Sequence, residues 1–186
     1  MHEVIKAKLE NIPKNAIILT IIPSEHYFDI NLFLIKHWLD KNPSHRGAYV
    51  SLNRPFANLS STLNKGEIDT TRLFFVDCVT KKSLTADNCI FLGTENSLTN
   101  LGIALSSLVR SKDLSFIYLD SLNTLALYNG LESALKFAHY LITKLRNHEK
   151  DGIILGIHEN TNRRIISELS QVCDVVIDLS ERTTFN

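Results

Sequence analysis

Ser115-Phe116-Ile117-Tyr118-Leu119-Asp120-Ser121 is the segment from which the fold of this chain can be inferred. An unbroken apolar and aromatic run that ends in Asp120 is typical of a strand buried on both faces of a parallel sheet. Five other short runs rich in Ile, Val and Phe have the same character, at residues 16–22, 48–51, 73–77, 152–157 and 174–179. Helix-like segments alternate with these six runs, and the alternation predicts an α/β fold with a mainly parallel sheet.

Apolar residues at three- and four-residue steps indicate the helices between the predicted strands. The clearest apolar stripe follows Gly130 and continues to Leu145. Another helix is expected to begin with Pro55, a residue suited to the first helical position, and to end with a cap at Gly66. These helices can cover both faces of the predicted sheet.

Residues 80–95 are less regular, although residues 89–92 resemble a further strand. The chain contains no internal repeat, low-complexity tract or linker. A single domain over residues 1–186 is therefore expected, with a frayed tail at 181–186.

Composition excludes several classes of protein. Lys and Arg together number 20, as do Asp and Glu, so no surplus of positive charge favours nucleic acid as a partner. The three cysteines include no Cys-x-x-Cys pair, which argues against a zinc site. The first residues lack the apolar core of a secretory signal, and every apolar run is far shorter than the ~20 residues that cross a bilayer. A cytoplasmic protein without a membrane partner is expected.

The run that ends in Asp120-Ser121 resembles the Walker B strand of RecA-superfamily ATPases, and of KaiC-like proteins in particular. The order of strands and helices is similar to the KaiC-like core over roughly residues 12–180. The resemblance implies a three-layer, RecA-like fold of the P-loop NTPase type. It also implies that Asp120 and Ser121 are the remnant of a magnesium-positioning site. The alternative for Asp120 is a strand-end carboxylate that caps a nearby turn.

Pro23-Ser24-Glu25-His26-Tyr27-Phe28-Asp29-Ile30 stands where the resemblance places the phosphate-binding loop, the Walker A motif. That loop, G-x-x-x-x-G-K-[ST], offers backbone N–H groups and a Lys to phosphate, and a hydroxyl to magnesium. Pro23 has no N–H to offer. Phe28, Asp29 and Ile30 take the places of the second Gly, the Lys and the hydroxyl residue.

Asp29 opposes phosphate binding most directly, because it reverses the required charge. Two like charges about 4 Å apart cost on the order of 4 kcal/mol at an effective dielectric of about 20. A second departure follows the second strand, where KaiC-like ATPases carry paired glutamates and this chain has Ser51-Leu52-Asn53-Arg54-Pro55. The Walker A motif is therefore expected to be degenerate, and no catalytic residue is assigned.

Carboxylates near the strand ends leave a second interpretation open. Ligands of open α/β sheets bind at the carboxyl ends of the strands, where four acidic residues are expected: Glu25, Asp29, Asp77 and Asp120. Grouped together, they could hold a divalent cation such as Mg²⁺ and serve a metal-dependent enzyme or a nucleotide sensor. Strand-end Asp and Glu are also routine helix caps.

Other polar and aromatic residues near this edge also have two interpretations. His26 and His158 could act as an acid or base, or could hydrogen-bond to loop backbone. Arg163-Arg164 could meet a partner, or could remain solvated. Tyr27-Phe28 could bind a partner, or could seal the sheet edge.

The leading hypothesis is a RecA/KaiC-like protein that has no cofactor and does not hydrolyse ATP. Such a protein would act in regulation or signalling by associating with another protein. The expected partner is a second copy of the chain or an active ATPase relative.

Overall fold

A computed structural model describes residues 2–81, 84–93, 97–158 and 163–180 of the chain. Within these ranges the helices are α1 (His2–Leu9), α2 (Tyr27–Asp40), α3 (Phe56–Lys65), α4 (Leu98–Arg110), α5 (Leu122–Asn129), α6 (Leu131–Asn147) and α7 (Arg163–Ser170). The strands are β1 (Ile17–Ile22), β2 (Gly47–Ser51), β3 (Leu73–Asp77), β4 (Cys89–Phe91), β5 (Phe116–Asp120), β6 (Asp151–Ile157) and β7 (Val175–Asp178).

The seven strands form one sheet in the order β4-β3-β2-β5-β6-β1-β7, and every pair of neighbouring strands is parallel. All of their carboxyl ends therefore lie at the same edge. In the centre of the sheet, Tyr49 pairs with Tyr118 and Ser51 pairs with Asp120 across β2 and β5. Strand β5 lies between β3 and β1 in this order.

Helices cover both faces of the sheet and produce three layers. Side chains alternate along each strand, so Ile17, Leu19 and Ile21 of β1 pack on one face with α4, α5, α6 and α7. Ile18 and Ile22 point to the other face and pack with α1, α2 and α3. Burial on both faces explains why the strands are continuously apolar.

The predicted α/β class and the mainly parallel sheet are confirmed. The six predicted strands correspond to β1, β2, β3, β5, β6 and β7, and the strand-like residues 89–92 contain β4. Helices α1 and α5 were not predicted. Pro55 precedes α3 and is not its first residue. The predicted frayed tail, 181–186, lies outside the described residues.

Among the described residues, every helix is too short or too polar to span a lipid bilayer.

Candidate functional site

The candidate site is centred on Asp120, the last residue of β5 at the carboxyl edge of the sheet. Its side chain is fully buried. Its backbone carbonyl accepts a hydrogen bond from Leu52 N (2.8 Å), so the pairing of β2 and β5 continues past the strand ends. The carboxylate is thus fixed in the middle of the sheet edge.

Three side chains donate hydrogen bonds to one oxygen of this carboxylate. Asp120 Oδ2 accepts from the hydroxyls of Tyr27 and Tyr49, each at 2.5 Å, and from Asn31 Nδ2 at 3.2 Å. Asn31 Nδ2 also lies 3.0 Å from the Tyr49 hydroxyl. The second oxygen, Oδ1, lies 3.5 Å from Asn53 Nδ2. We call Asp120 with Tyr27, Asn31 and Tyr49 the tyrosine-capped carboxylate.

Local structure explains how these donors meet. Tyr27 and Asn31 are four residues apart in α2, so they lie on the same helix face, one turn apart. Tyr49 lies in β2 beside β5. Its ring packs against that of Tyr118, with centroids 5.1 Å apart. Helix α2 and the sheet therefore close on Asp120 from two sides.

Burial dominates the electrostatics of this cluster. Desolvation raises the pKa of Asp120 above its ordinary value, although the hydrogen bonds from Tyr27 and Tyr49 oppose the increase. Desolvation, followed by the negative charge of Asp120, also raises the pKa values of Tyr27 and Tyr49. Both hydroxyls therefore remain protonated near neutral pH and can donate to the carboxylate.

Arg54 and Phe28 lie on the solvent side of the cluster. The Arg54 guanidinium is 3.6 Å from the centre of the Phe28 ring and 5.3 Å from that of Tyr27. Phe28 remains 49% exposed, whereas Tyr27 is 8% exposed. A cavity of about 10 Å³ lies among Tyr27, Phe28, Asn31, Tyr49, Arg54 and their neighbours, barely the volume that one water needs.

The predicted Walker A positions form a compact turn and the start of a helix. Pro23 precedes a 3₁₀ turn, Ser24–His26, in which His26 N donates to Pro23 O (3.2 Å). Phe28, Asp29 and Ile30 belong to the first turn of α2. Ile30 is buried in the core, and Asp29 is exposed. The failure of this segment to bind phosphate remains a prediction.

The four predicted carboxylates do not assemble into a metal site. All four belong to the described part of the chain, where no group of three or more His, Cys, Asp or Glu side chains could hold a metal ion. The side chain of Glu25 is 75% exposed, and Asp29 is exposed on α2. The four side chains are therefore not brought together as one group of potential ligands, and whether any of them binds a cation stays a prediction.

Asp77 is one of these carboxylates and fixes two backbone segments. Its Oδ2 accepts from Phe56 N at the start of α3 (2.7 Å) and from the Thr80 hydroxyl (2.6 Å). Its Oδ1 accepts from Val79 N (2.7 Å) and Thr80 N (2.8 Å). Asp77 is therefore a cap that joins the start of α3 to the turn after β3.

The other candidate side chains lie apart from Asp120 or have local partners. Ser121 is buried, with its hydroxyl 3.2 Å from that of Thr124. His26 Nε2 lies 3.6 Å from Glu25 Oε1, and His158 is exposed at the end of β6. Arg164 contacts both Glu132 (2.5 Å) and Glu168 (2.6 Å). Tyr27 seals the edge, as one interpretation of Tyr27-Phe28 predicts.

Asn31, Tyr49 and Asn53 were not identified from the sequence. Asn31 interrupts the apolar face of α2 one turn after Tyr27, and Tyr49 places a hydroxyl in a central strand. Polar groups at such positions need buried partners, and this requirement is the signal that could have found them.

Comparisons with known proteins support the architecture. Residues 37–179 match the sequence pattern of DUF7504, a family of unknown function. No curated protein matches the chain. The KaiC-like protein PH0186 from the hyperthermophilic archaeon Pyrococcus horikoshii OT3 is similar in structure, with a TM-score of 0.64 and 14% identity. That similarity covers 93% of this chain and 76% of PH0186.

A second similar structure is the uncharacterized protein PH0321 from Pyrococcus horikoshii, solved in complex with an unknown peptide. Its TM-score is 0.67 at 13% identity, and the similarity covers 95% of this chain and 82% of PH0321. At sequence identities of 13% and 14%, these two similarities show a shared KaiC-like fold and do not show a shared activity.

Proposed function

The chain belongs to the DUF7504 family, whose function is unknown, and from this premise we propose that it is a regulatory protein-interaction module that does not hydrolyse ATP. The observation that carries the proposal is the tyrosine-capped carboxylate. The resemblance assigns magnesium positioning to Asp120, yet Asp120 is fully buried and its Oδ2 already accepts three hydrogen bonds.

The energetic cost of using Asp120 as a metal ligand supports this proposal. Mg²⁺ requires carboxylate oxygens that can reach it in near-octahedral geometry. A hydrogen bond to a charged group contributes about 1.5–3 kcal/mol, so displacing even the Tyr27 hydroxyl from Asp120 would offset much of the gain from binding. Arg54 and Phe28 would also have to move, since they lie on the solvent side.

The segment at residues 23–30, which runs into the first turn of α2, supports the same conclusion. It contains no glycine, and Asp29 places a negative charge where phosphate would need a positive one. Tyr27, in the first turn of α2, reaches Asp120 with its hydroxyl. An aromatic side chain thus extends from the predicted phosphate-loop segment to the predicted magnesium ligand.

A protein partner is the second part of the proposal. PH0321 has the same fold and was solved with a bound peptide, which is a precedent for a partner of this chemical class. The partner is a second copy of the chain or an active ATPase relative.

Calorimetry with Mg²⁺-ATP and a phosphate-release assay test the first part. We expect neither binding heat nor turnover from protein whose fold has been verified by circular dichroism. Tight magnesium-dependent ATP binding, or turnover that Asp120→Ala abolishes while Asp69→Ala does not, would overturn the proposal. Asp69 is a suitable control because it is an exposed carboxylate that caps a surface turn.

Sedimentation velocity tests the second part, with the chain alone and mixed with a KaiC-like ATPase from the same organism. We expect a complex in at least one of the two samples. A chain that sediments as a monomer in both would contradict the proposed partners.

A further inference from the structure

A groove of about 680 Å³ runs between α4 and α6, on the helical layer that covers one face of the sheet. None of its described lining residues belongs to the tyrosine-capped carboxylate. Helix α4 spans Leu98 to Arg110, which at 1.5 Å per residue is about 18 Å, or roughly three helical turns. The groove is therefore long enough to accept a short helix.

The floor and walls of the groove are apolar. Gly102 has no side chain, and a Cβ atom there would lie 3.6 Å from the Tyr140 ring and 3.9 Å from the Phe137 ring, so both rings pack close to the α4 backbone. Phe137 is only 6% exposed and forms part of the groove floor. Ile103 is 66% exposed and Tyr140 is 38% exposed. The Tyr140 hydroxyl is fixed by the hydroxyl of Ser106 at 2.5 Å. The apolar surface is thus preformed, as binding sites usually are.

The charges of the groove have a single sign. Arg110 and Lys136 line it, and its described lining residues include no Asp or Glu. Lys144 adds a third positive charge, 5.5 Å from the centre of the Tyr140 ring. Neither Arg110 nor Lys136 forms an ion pair with any described residue, unlike Arg146 and Arg164. An occupant with carboxylates would complement this surface.

We propose that the groove between α4 and α6 binds an acidic amphipathic helix of a partner protein. Apolar side chains of that helix pack against Ile103, Phe137 and Tyr140, and its carboxylates pair with Arg110 and Lys136. This is helix-in-groove recognition, with anchors at positions i, i+3 or i+4, and i+7. The inference rests on the proposed function, because it identifies a surface and a partner chemistry for an interaction module.

A symmetric dimer would not satisfy this surface. In a twofold dimer the same patch meets itself, so Arg110 and Lys136 of both copies would come together with no carboxylate from either groove lining among the described residues. Like charges in an interface are repulsive. The charge pattern therefore favours a different protein, with complementary charge.

A displayed library of helical peptides, selected on the immobilised full chain, tests the inference. We expect the enriched peptides to be acidic and to carry apolar residues at helical spacing. Their affinity should fall at least about tenfold in Ile103→Asp and in Lys136→Glu. It should be unchanged in Leu127→Asp and Lys65→Glu, matched changes at exposed positions on α5 and α3. A peptide with each Glu changed to Lys should not bind.

Three results would overturn the inference: no enrichment, enrichment without acidic residues, or binding that Ile103→Asp does not alter. Self-association of the purified chain that Ile103→Asp abolishes would also overturn it, since the occupant would then be a second copy. Calorimetry with Mg²⁺-ATP on the same preparations separates the two proposals. Peptide binding at another surface would refute only the groove as the binding site, whereas ATP turnover would refute the proposed function.

Discussion

Replacing Tyr27 with Phe removes one hydroxyl from the tyrosine-capped carboxylate and leaves the ring in place. The lost bond joins a buried hydroxyl to a buried carboxylate at 2.5 Å. Such a bond contributes about 1.5–3 kcal/mol to stability. Tyr49 and Asn31 still donate to Asp120, so the carboxylate is not left without partners and the cost stays within that range.

Tyr118→Phe is the matched control. Tyr118 is also a fully buried tyrosine beside Tyr49, but its hydroxyl has no hydrogen-bond partner among the described residues. Removing a buried hydroxyl without a partner removes a desolvation penalty. We therefore expect Tyr118→Phe to change the free energy of unfolding by less than about 0.5 kcal/mol, or to increase it.

Urea unfolding, followed by the fluorescence of Trp38, measures both variants. Trp38 is the single tryptophan and is 1% exposed, so its emission reports loss of the core. For a chain of this length, a loss of 1.5–3 kcal/mol for Tyr27→Phe lowers the melting temperature by about 3–12 °C. Equal stabilities of Tyr27→Phe and Tyr118→Phe would refute the role assigned to the Tyr27 hydroxyl.

Three further predictions concern other parts of the fold. The folded-state pKa of Asp120 is raised, so the native state binds more protons than the unfolded chain. Stability relative to Asp120→Asn should therefore fall as pH rises above the ordinary carboxyl pKa of ~4, and level off above the raised pKa. The urea midpoints of the unmodified chain and of Asp120→Asn, measured across this pH range, check the direction of the change. A stability of the unmodified chain relative to Asp120→Asn that rises with pH would contradict the prediction. Asp77→Ala should cost roughly 2–4 kcal/mol, because four hydrogen bonds are lost, whereas the exposed Asp69→Ala should cost about 1 kcal/mol or less. Thermal unfolding measures both changes, and equal costs would argue against the capping role of Asp77. Gly102→Ala should raise stability by up to ~1 kcal/mol, since Gly102 is in a helix and a Cβ there makes only ordinary contacts. Gly130→Ala should lower stability by about 1–3 kcal/mol, because Gly130 has φ +79° and ψ 156°, a conformation that residues with a side chain rarely adopt. A calorimetric measurement that finds Gly130→Ala more stable than Gly102→Ala would refute this prediction.

The strands could be predicted from the sequence because helices cover both faces of the sheet and its central strands are buried. A strand that is buried on both faces is apolar along its length, and the run that ends in Asp120 is an example. Helix α6 could be predicted because its apolar stripe is long and its opposite face is charged.

Short helices were missed because periodicity needs length. Helix α1 has eight residues and buries Ile5 and Leu9, too few positions to establish a stripe. Helix α5 also has eight residues and is apolar on several sides, with Leu125 buried but Leu127 exposed. Neither segment distinguishes a helix from a loop by its pattern alone.

The tyrosine-capped carboxylate was only half predicted. Asp120 was identified from its own strand, since a strand-end Asp is a local feature. Tyr27, Asn31 and Tyr49 come from two other elements, and their meeting depends on the strand order and on how α2 lies on the sheet. The separation of the four acidic side chains could not be predicted for the same reason, since Asp77 caps the start of α3.

The hydroxyl of Tyr27 also constrains how this sequence can evolve. Phe28→Gly together with Asp29→Lys would introduce two residues of a phosphate loop, yet Tyr27 would still occupy Asp120. Losing the Tyr27 hydroxyl first would cost about 1.5–3 kcal/mol without adding any phosphate contact. A phosphate loop together with a free Asp120 carboxylate would therefore require changes at several positions, and the loss of the Tyr27 hydroxyl alone would lower stability. The buried carboxylate and its Tyr27 partner therefore oppose stepwise change of this edge toward a phosphate-binding site.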